Sequence, residues 1–137
     1  MNNDSKAIAD IDKVIQAFFA VFDNRQGNIP DFGEFGCLFF DCSMVYKREG
    51  NSVRPMGLDE FIEPRDAMLT DGTLQDFYQW EIESQTLVNG GIATRVCRYG
   101  KSGLLNGKPY SGQGNKHIQL ALTHDGWKIT SVVWQDE

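Results

Sequence analysis

The hydrophobic periodicity of this chain changes along its 137 residues. Through the first half, apolar residues recur every three or four positions, which is the spacing of one buried face of an α-helix. From Leu74 onward they alternate with polar residues, which is the spacing of a β-strand with one buried face. Helical segments followed by a run of strands predict an α+β fold and not the alternating βαβ order of a parallel sheet.

Three helical segments are predicted before this change. The second spans residues 31–40, with phenylalanines on its apolar side, and the third spans 58–69, where Pro64 predicts a kink. The first is the clearest, because its apolar side chains keep steps of three and four: Ile8, Ile11, Ile15, Phe18 and Phe22.

Turn residues divide the rest of the chain into strands. A short strand at 43–48 and a loop at 49–56 precede the third helix. Asn89-Gly90-Gly91 and Asp125-Gly126 are typical of tight hairpin turns. The glycine-rich segment 102–114 predicts a bent or mobile connection. The long strands are expected at 77–88, 92–101, 117–123 and 127–134.

These elements predict one domain over residues 1–137, in which a strongly curved, mostly antiparallel sheet wraps around three helical segments. Such a sheet leaves a cone-shaped hollow at one end. The chain has nine Phe, four Tyr and three Trp, so part of the wall of this hollow is expected to be aromatic.

The charge distribution narrows the range of partners. A formal net charge of −6 argues against nucleic acid or an anionic membrane as the main partner. Residues 91–137, however, carry six basic and three acidic side chains. This excess is either one solvated face or a basic cavity mouth that favours an anion.

The remaining composition predicts a cytoplasmic protein. No run of about 18 apolar residues is present, and residues 1–12 are polar and acidic, unlike a signal peptide. The three cysteines form no CxxC pair and no Cys/His cluster, so reduced thiols and no metal site are expected. No motif indicates a cofactor.

Three segments resemble the NTF2-like superfamily, also described as SnoaL-like or cystatin-like α+β. They are the amphipathic helix at 8–22, the segment 38–46 entering the first strand, and the ending Asn106-Gly107-Lys108-Pro109-Tyr110 with the later Asp125-Gly126-Trp127-Lys128-Ile129. The resemblance covers nearly the whole chain and implies a cone fold. Because such folds carry many activities, it does not choose a function.

The resemblance implies two enzymatic comparisons. Ketosteroid-isomerase-like members have an Asp base where an ungapped alignment puts Lys47, and a protonated Asp where it puts Lys116 or His117. Both differences argue against that isomerase chemistry. Scytalone-dehydratase-like members have a Tyr, His and Asp cluster, for which Tyr46, Tyr78, His117 and Asp41 are the available residues.

Candidate site residues follow from this comparison. The catalytic candidates are Tyr46, His117 and Asp41, although His117 lies opposite an apolar strand face, which favours an outer or interface position. The candidate ligand pocket consists of Tyr46, Tyr78, Trp80, Arg95 and Trp134. The aromatic residues could instead be part of the wall of the hydrophobic core. Arg95 could instead lie on the surface or at an interface.

Three functions stay open at this point, and they leave open whether the chain is an enzyme. The first is binding of a small, partly apolar organic ligand in the hollow without chemistry. The second is an isomerase, cyclase or dehydratase in which Tyr46 and His117 converge across the cavity. The third is a dimerisation or accessory domain. A homodimer formed through the sheet is expected because the strands carry polar and apolar residues on both faces.

Overall fold

A computed structural model describes residues 2–137, with side chains from Asp4 onward; Met1 lies outside this range. The helices are α1 (Asn2–Ala20), a 3₁₀ turn (Arg25–Gly27), α2 (Phe32–Gly36) and α3 (Leu58–Thr70). The strands are β1 (Phe39–Glu49), β2 (Ser52–Gly57), β3 (Leu74–Asn89), β4 (Ile92–Leu105), β5 (Lys108–Thr123) and β6 (Gly126–Asp136). In the described part of the chain, no helix has the length and apolarity needed to cross a membrane.

The six strands form one mixed sheet in the order β2-β1-β6-β5-β4-β3. Neighbouring strands are antiparallel except β1 and β6, which are parallel. Register shifts interrupt β1, β3 and the β5–β6 pair. Such bulges bend and twist a sheet, so the inner face is concave and packs against the helices. The predicted α+β cone with a mostly antiparallel, curved sheet is confirmed.

The inner face packs against α1 through the predicted stripe. Ile11, Ile15, Phe18 and Phe22 are at most 2% exposed, whereas Ile8 lies at the rim. Burying each of these side chains stabilises the fold by about 1.5–3 kcal/mol. The ring of Phe35 from α2 packs on Phe18 and Phe22 with centroids 5.3 and 5.6 Å apart, which joins the two helices.

Asn24 connects the end of α3 to the start of β3. Its side-chain amide donates to the carbonyl oxygens of Leu69, at 3.0 Å, and Leu74, at 2.8 Å. Its carbonyl oxygen accepts from the backbone N–H of Phe77 at 2.8 Å. Three backbone groups at the end of α3 and the start of β3 are thereby satisfied, and the two elements are tied together.

Several predicted boundaries are wrong, and glycine explains the largest error. The segment 102–114 is not a bent or mobile connection but a β-hairpin, in which the end of β4 and the start of β5 are paired on either side of a two-residue turn at Asn106-Gly107. A Cβ at Gly103 would lie 2.8 Å from the Cα of Phe77, so glycine permits close packing inside a strand here. The expected loop at 49–56 is mostly strand β2, and α2 ends at Gly36 instead of residue 40.

The two predicted hairpin turns and the predicted range of the third helix are confirmed. β3 and β4 meet at Gly90-Gly91, and β5 and β6 meet at His124-Asp125. α3 covers the predicted range and continues through Pro64. Proline carries no N–H, so the helix lacks one backbone hydrogen bond at this residue.

Candidate functional site

A cavity of about 220 Å³ lies between α3 and the concave face of the sheet. Its apolar wall consists of Phe22, Phe61, Met68, Leu69, Leu74, Phe77 and Trp134. Its polar wall consists of Lys47, Arg65, Gln79, Tyr99, Lys101, Tyr110, Lys116 and Asp136. The cavity therefore combines aromatic and aliphatic surface with a concentrated set of charges.

The strand register places the charged residues side by side. Lys47 on β1 is opposite Trp134 on β6, which in turn is opposite Lys116 on β5. Side chains at paired positions share a face of the sheet, so these three point into the cone. One row further along, Asp136 on β6 is separated from Tyr99 on β4 only by Gly114 on β5.

Gly114 allows Asp136 and Tyr99 to meet across the intervening strand. A Cβ at this residue would lie 2.5 Å from the carbonyl oxygen of Gln135 and 2.8 Å from the ring of Tyr99. With glycine there, the Tyr99 hydroxyl donates a hydrogen bond to Oδ1 of Asp136. Any larger residue would separate this pair.

Asp136 is the centre of the polar wall. Its Oδ2 lies 3.2 Å from Nζ of Lys101 and 3.8 Å from Nζ of Lys47. Burial alone would raise the pKa of Asp136, but the hydrogen bond from Tyr99 and the charge of Lys101 outweigh it and hold the pKa below its usual value. The same burial and hydrogen bond raise the pKa of the Tyr99 hydroxyl, so this phenol stays protonated.

Lys116 is the most deeply buried charged residue of the cavity, at 3% exposure. Its Nζ lies 4.1 Å from the ring centroid of Tyr99 and 4.9 Å from that of Trp134, which are cation–π distances. Within residues 2–137 this amine makes no hydrogen bond or ion pair that would replace its hydration. Burial therefore lowers the pKa of Lys116 to about 7.

Arg65 on α3 covers the opposite wall. Its Nη1 donates to the carbonyl oxygen of Phe61 at 2.9 Å, and the guanidinium lies 4.1 Å from the Phe61 ring centroid. Burial lowers its pKa, with a further contribution from the charge of Arg54. Its remaining N–H groups are free to bind a ligand, because no carboxylate among the described residues pairs with Arg65.

The cavity has a positive charge balance. Four basic side chains line it, and Asp136 is the only acidic residue among the described lining residues. Gln79 adds a buried amide oxygen that has no hydrogen-bond partner within residues 2–137. An unpaired buried polar atom is costly, so a ligand or water that donates a hydrogen bond would stabilise this wall. The arrangement is complementary to an anion with an apolar portion.

Of the predicted ligand-pocket residues, Trp134 lines the cavity and the others lie elsewhere. Tyr78 and Trp80 stack on each other at 4.9 Å on the outer face of the sheet, with Arg25 over the Tyr78 ring at 3.7 Å. Arg95 is buried, at 5% exposure, but it binds Asp12 and Glu81 between α1 and the sheet.

The predicted catalytic residues are not brought together in the cavity. Tyr46 and His117 both point to the outer face, on either side of Val133 in the row that crosses β1, β6 and β5. His117 is exposed there beside a shallow depression. Asp41 is exposed in the irregular start of β1, next to Cys42 with its positive φ of 62°.

Most of the cavity residues were not predicted from the sequence, but two features of the sequence indicated some of them. The alignment with isomerase-like members placed Lys47 at one site position and Lys116 or His117 at the other; Lys47 and Lys116 line the cavity, and His117 does not. The basic excess of residues 91–137 comes partly from Lys101 and Lys116. No sequence signal singled out Arg65, because one arginine on an amphipathic helix usually faces solvent.

The fold is that of NTF2-like proteins with a cystatin-like architecture, as predicted. An NTF2-like superfamily protein from Salmonella enterica superposes with a TM-score of 0.75 at 15% identity, over 96% of this chain and 92% of that one. An NTF2-like protein with a cystatin-like fold from Novosphingobium aromaticivorans gives 0.73 at 14% identity, over 96% and 82%.

A further structure with this fold carries an enzymatic assignment. A proposed dehydratase from the NTF2-like family of Streptomyces avermitilis superposes with a TM-score of 0.75 at 15% identity, over 97% of this chain and 98% of that one. No protein-family model and no curated protein matches the sequence. The superpositions establish the shared fold, and at such low identity the function has to be argued from the site.

Proposed function

We propose that the protein binds a small organic carboxylate with an apolar portion in the cone cavity. The observation that carries this proposal is the imbalance of four basic residues against Asp136 in a cavity whose other lining side chains, apart from Gln79, are aromatic or aliphatic. Arg65 and Lys101 offer charge-assisted hydrogen bonds to the carboxylate. Trp134 and Phe61 offer apolar surface to the apolar portion.

The size of the cavity supports a ligand of one ring or less. A volume of about 220 Å³ is slightly below the usual range for drug-sized ligands, which begins at about 300 Å³. Hydrocinnamate is a suitable probe, because it joins one phenyl ring to one carboxylate. Hydrocinnamyl alcohol is its matched uncharged control, since it has the same carbon skeleton and lacks only the carboxylate.

Titration calorimetry with both probes tests the proposal. We expect hydrocinnamate to bind at one site per chain and hydrocinnamyl alcohol to bind at least about tenfold more weakly, since a charge-assisted hydrogen bond contributes about 1.5–3 kcal/mol. Arg65→Gln should weaken hydrocinnamate binding by about the same factor. Arg48→Gln is the control, because Arg48 is exposed on the outer face. Equal binding of acid and alcohol would contradict the proposal.

We also propose that two copies associate through the outer face of the sheet. This face exposes several apolar side chains, among them Trp80, Val96 and Val133. Val96, His117 and Val133 are consecutive across β4, β5 and β6, so apolar and polar side chains share one row. A symmetric dimer would cover them.

Sedimentation velocity on the Val133→Glu variant tests the dimer. A buried carboxylate at the centre of the interface is unfavourable, so we expect the variant to dissociate at concentrations where the unmodified protein is dimeric. Ile29→Glu is the matched control, because Ile29 is exposed in the loop before α2. An unmodified protein that sediments as a monomer would refute the dimer.

We keep the cytoplasm as the proposed compartment. Cys37, Cys42 and Cys97 are free thiols, and two of them are exposed. Exposed thiols persist in a reducing compartment and oxidise elsewhere, which supports this assignment.

A further inference from the structure

The Lys116 amine differs from the other three basic groups of the cavity. Lys47 and Lys101 approach the carboxylate of Asp136, and Arg65 donates to a backbone carbonyl. Lys116 instead has its amine over the rings of Tyr99 and Trp134, with a third ring, Phe18, at 5.7 Å. An amine in this position faces the cavity with aromatic surface behind it and no carboxylate bound to it.

We propose that Lys116 is a nucleophile that forms an imine with the carbonyl carbon of an oxo-carboxylate bound in the cavity. The inference rests on the proposed function, since the carboxylate of the substrate is held by the other basic groups. It adds to that function a covalent step and a substrate class, namely small oxo acids with an apolar portion. Lysines that are desolvated in apolar sites act as Schiff-base nucleophiles in this way.

The step is balanced in atoms and charge. The lone pair of the neutral Nζ forms a C–N bond to the carbonyl carbon, and the π electrons move to the carbonyl oxygen. A proton passes from nitrogen to that oxygen, which gives a carbinolamine. With one further proton taken from solvent, the C–O bond breaks, water leaves and an iminium ion remains. No oxidant or reductant is required.

The surroundings of Lys116 keep its amine reactive. Burial is the main cause of its lowered pKa. The charge of Asp136 and the neighbouring Cys97 act in the opposite direction, and the charges of Arg65 and Lys101 lower the pKa further. Burial raises the pKa of Cys97 to about 12, so this group is a neutral thiol near neutral pH. Tyr99 also stays neutral. At pH 7 about half of Lys116 is therefore free amine, about a thousandfold more than for an ordinary lysine.

Reductive trapping tests the proposal on the intact protein. Phenylpyruvate is the probe, because it is hydrocinnamate with a carbonyl group beside the carboxylate. With sodium cyanoborohydride at pH 7, we expect a single covalent adduct whose mass increase equals phenylpyruvate less one oxygen atom. Peptide mapping should place it on Lys116. Hydrocinnamate, which has no ketone, should give no adduct.

Two variants control for specificity. Lys116→Met and Lys116→Arg should each reduce the adduct at least about tenfold, because thioether and guanidinium groups do not form imines at this pH. Lys108→Met should leave the yield unchanged, because Lys108 is an exposed lysine outside the cavity. Circular dichroism confirms that each variant is folded.

The outcomes separate the inference from the function it rests on. If phenylpyruvate and hydrocinnamate bind by calorimetry but no adduct forms, or if the adduct maps to other lysines, the imine is refuted and the binding function stands. If neither acid binds, the binding function is refuted and the imine with it.

Discussion

Replacing Lys116 by methionine is expected to stabilise the protein. A protonated amine at this site has lost most of its hydration, and no carboxylate binds it directly. The pKa of Lys116 is about 7 in the folded chain against 10.5 for a free side chain. At about 1.36 kcal/mol per pKa unit, the buried amine costs about 5 kcal/mol at pH 6.

This cost depends on pH in a defined direction. Between the folded and unfolded pKa values the unfolded chain binds more protons than the folded one, so stability rises with pH. By pH 9 the cost falls to about 2 kcal/mol. Methionine keeps most of the apolar stem, and the changed packing costs about 1 kcal/mol. We therefore expect Lys116→Met to be more stable by about 4 kcal/mol at pH 6 and about 1 kcal/mol at pH 9.

Urea unfolding of both proteins at the two pH values measures this difference. The contributions of Asp136, Tyr99 and Lys101 occur in both proteins and largely cancel, so the change with pH reports on Lys116. A stability difference that is the same at pH 6 and pH 9 would show that burial of the Lys116 amine does not cause the cost. A variant less stable than the unmodified protein at pH 6 would show the same.

Three further variants test other parts of the structure. Gly114→Ala places a Cβ against Tyr99 and the Gln135 carbonyl, so thermal unfolding should show that the protein loses about 2 kcal/mol of stability. Hydrocinnamate should also bind more weakly, and unchanged binding would contradict the described packing of Tyr99 beside Gly114. Arg95→Ala leaves Glu81 without its ion-pair partner, so urea unfolding should show that the protein loses about 3 kcal/mol of stability. An unchanged stability would contradict a structural role for this ion pair. Asp136 has a lowered pKa, so its stabilising contribution is present above about pH 4 and is lost as pH falls through its folded pKa. Unfolding midpoints of Asp136→Asn and the unmodified protein should therefore differ above about pH 4 and converge only as pH falls further, and a constant gap would exclude this contribution.

The fold could be predicted because its determinants are local. The stripe from Ile11 to Phe22 and the turns at Gly90 and Gly126 are readable from sequence spacing alone. The strands near Gly103 could not be predicted, because Gly103 packs closely against Phe77, a residue that is distant in sequence, and this contact leaves no room for a side chain. Local propensity favours a loop, and tertiary packing overrides it.

The site was harder to predict, because it depends on strand register and on which face each residue occupies. A shift by one residue exchanges the two faces of a strand. Tyr46 and Lys47 are adjacent, and so are Lys116 and His117, yet the lysines face the cavity and their neighbours face outward. Tyr46 and His117 were predicted as site residues because tyrosine and histidine are common catalytic residue types. The strand register instead places Lys47 and Lys116 on the cavity face.

A crystal structure of the hydrocinnamate complex would show whether the basic side chains of the cavity bind the carboxylate. We expect the carboxylate within about 2.7–2.9 Å of Nη of Arg65 or Nζ of Lys101, with the phenyl ring against Trp134 or Phe61. Hydrocinnamate bound instead in the outer depression beside His117, or a cavity in which its carboxylate avoids the basic side chains, would contradict this expectation.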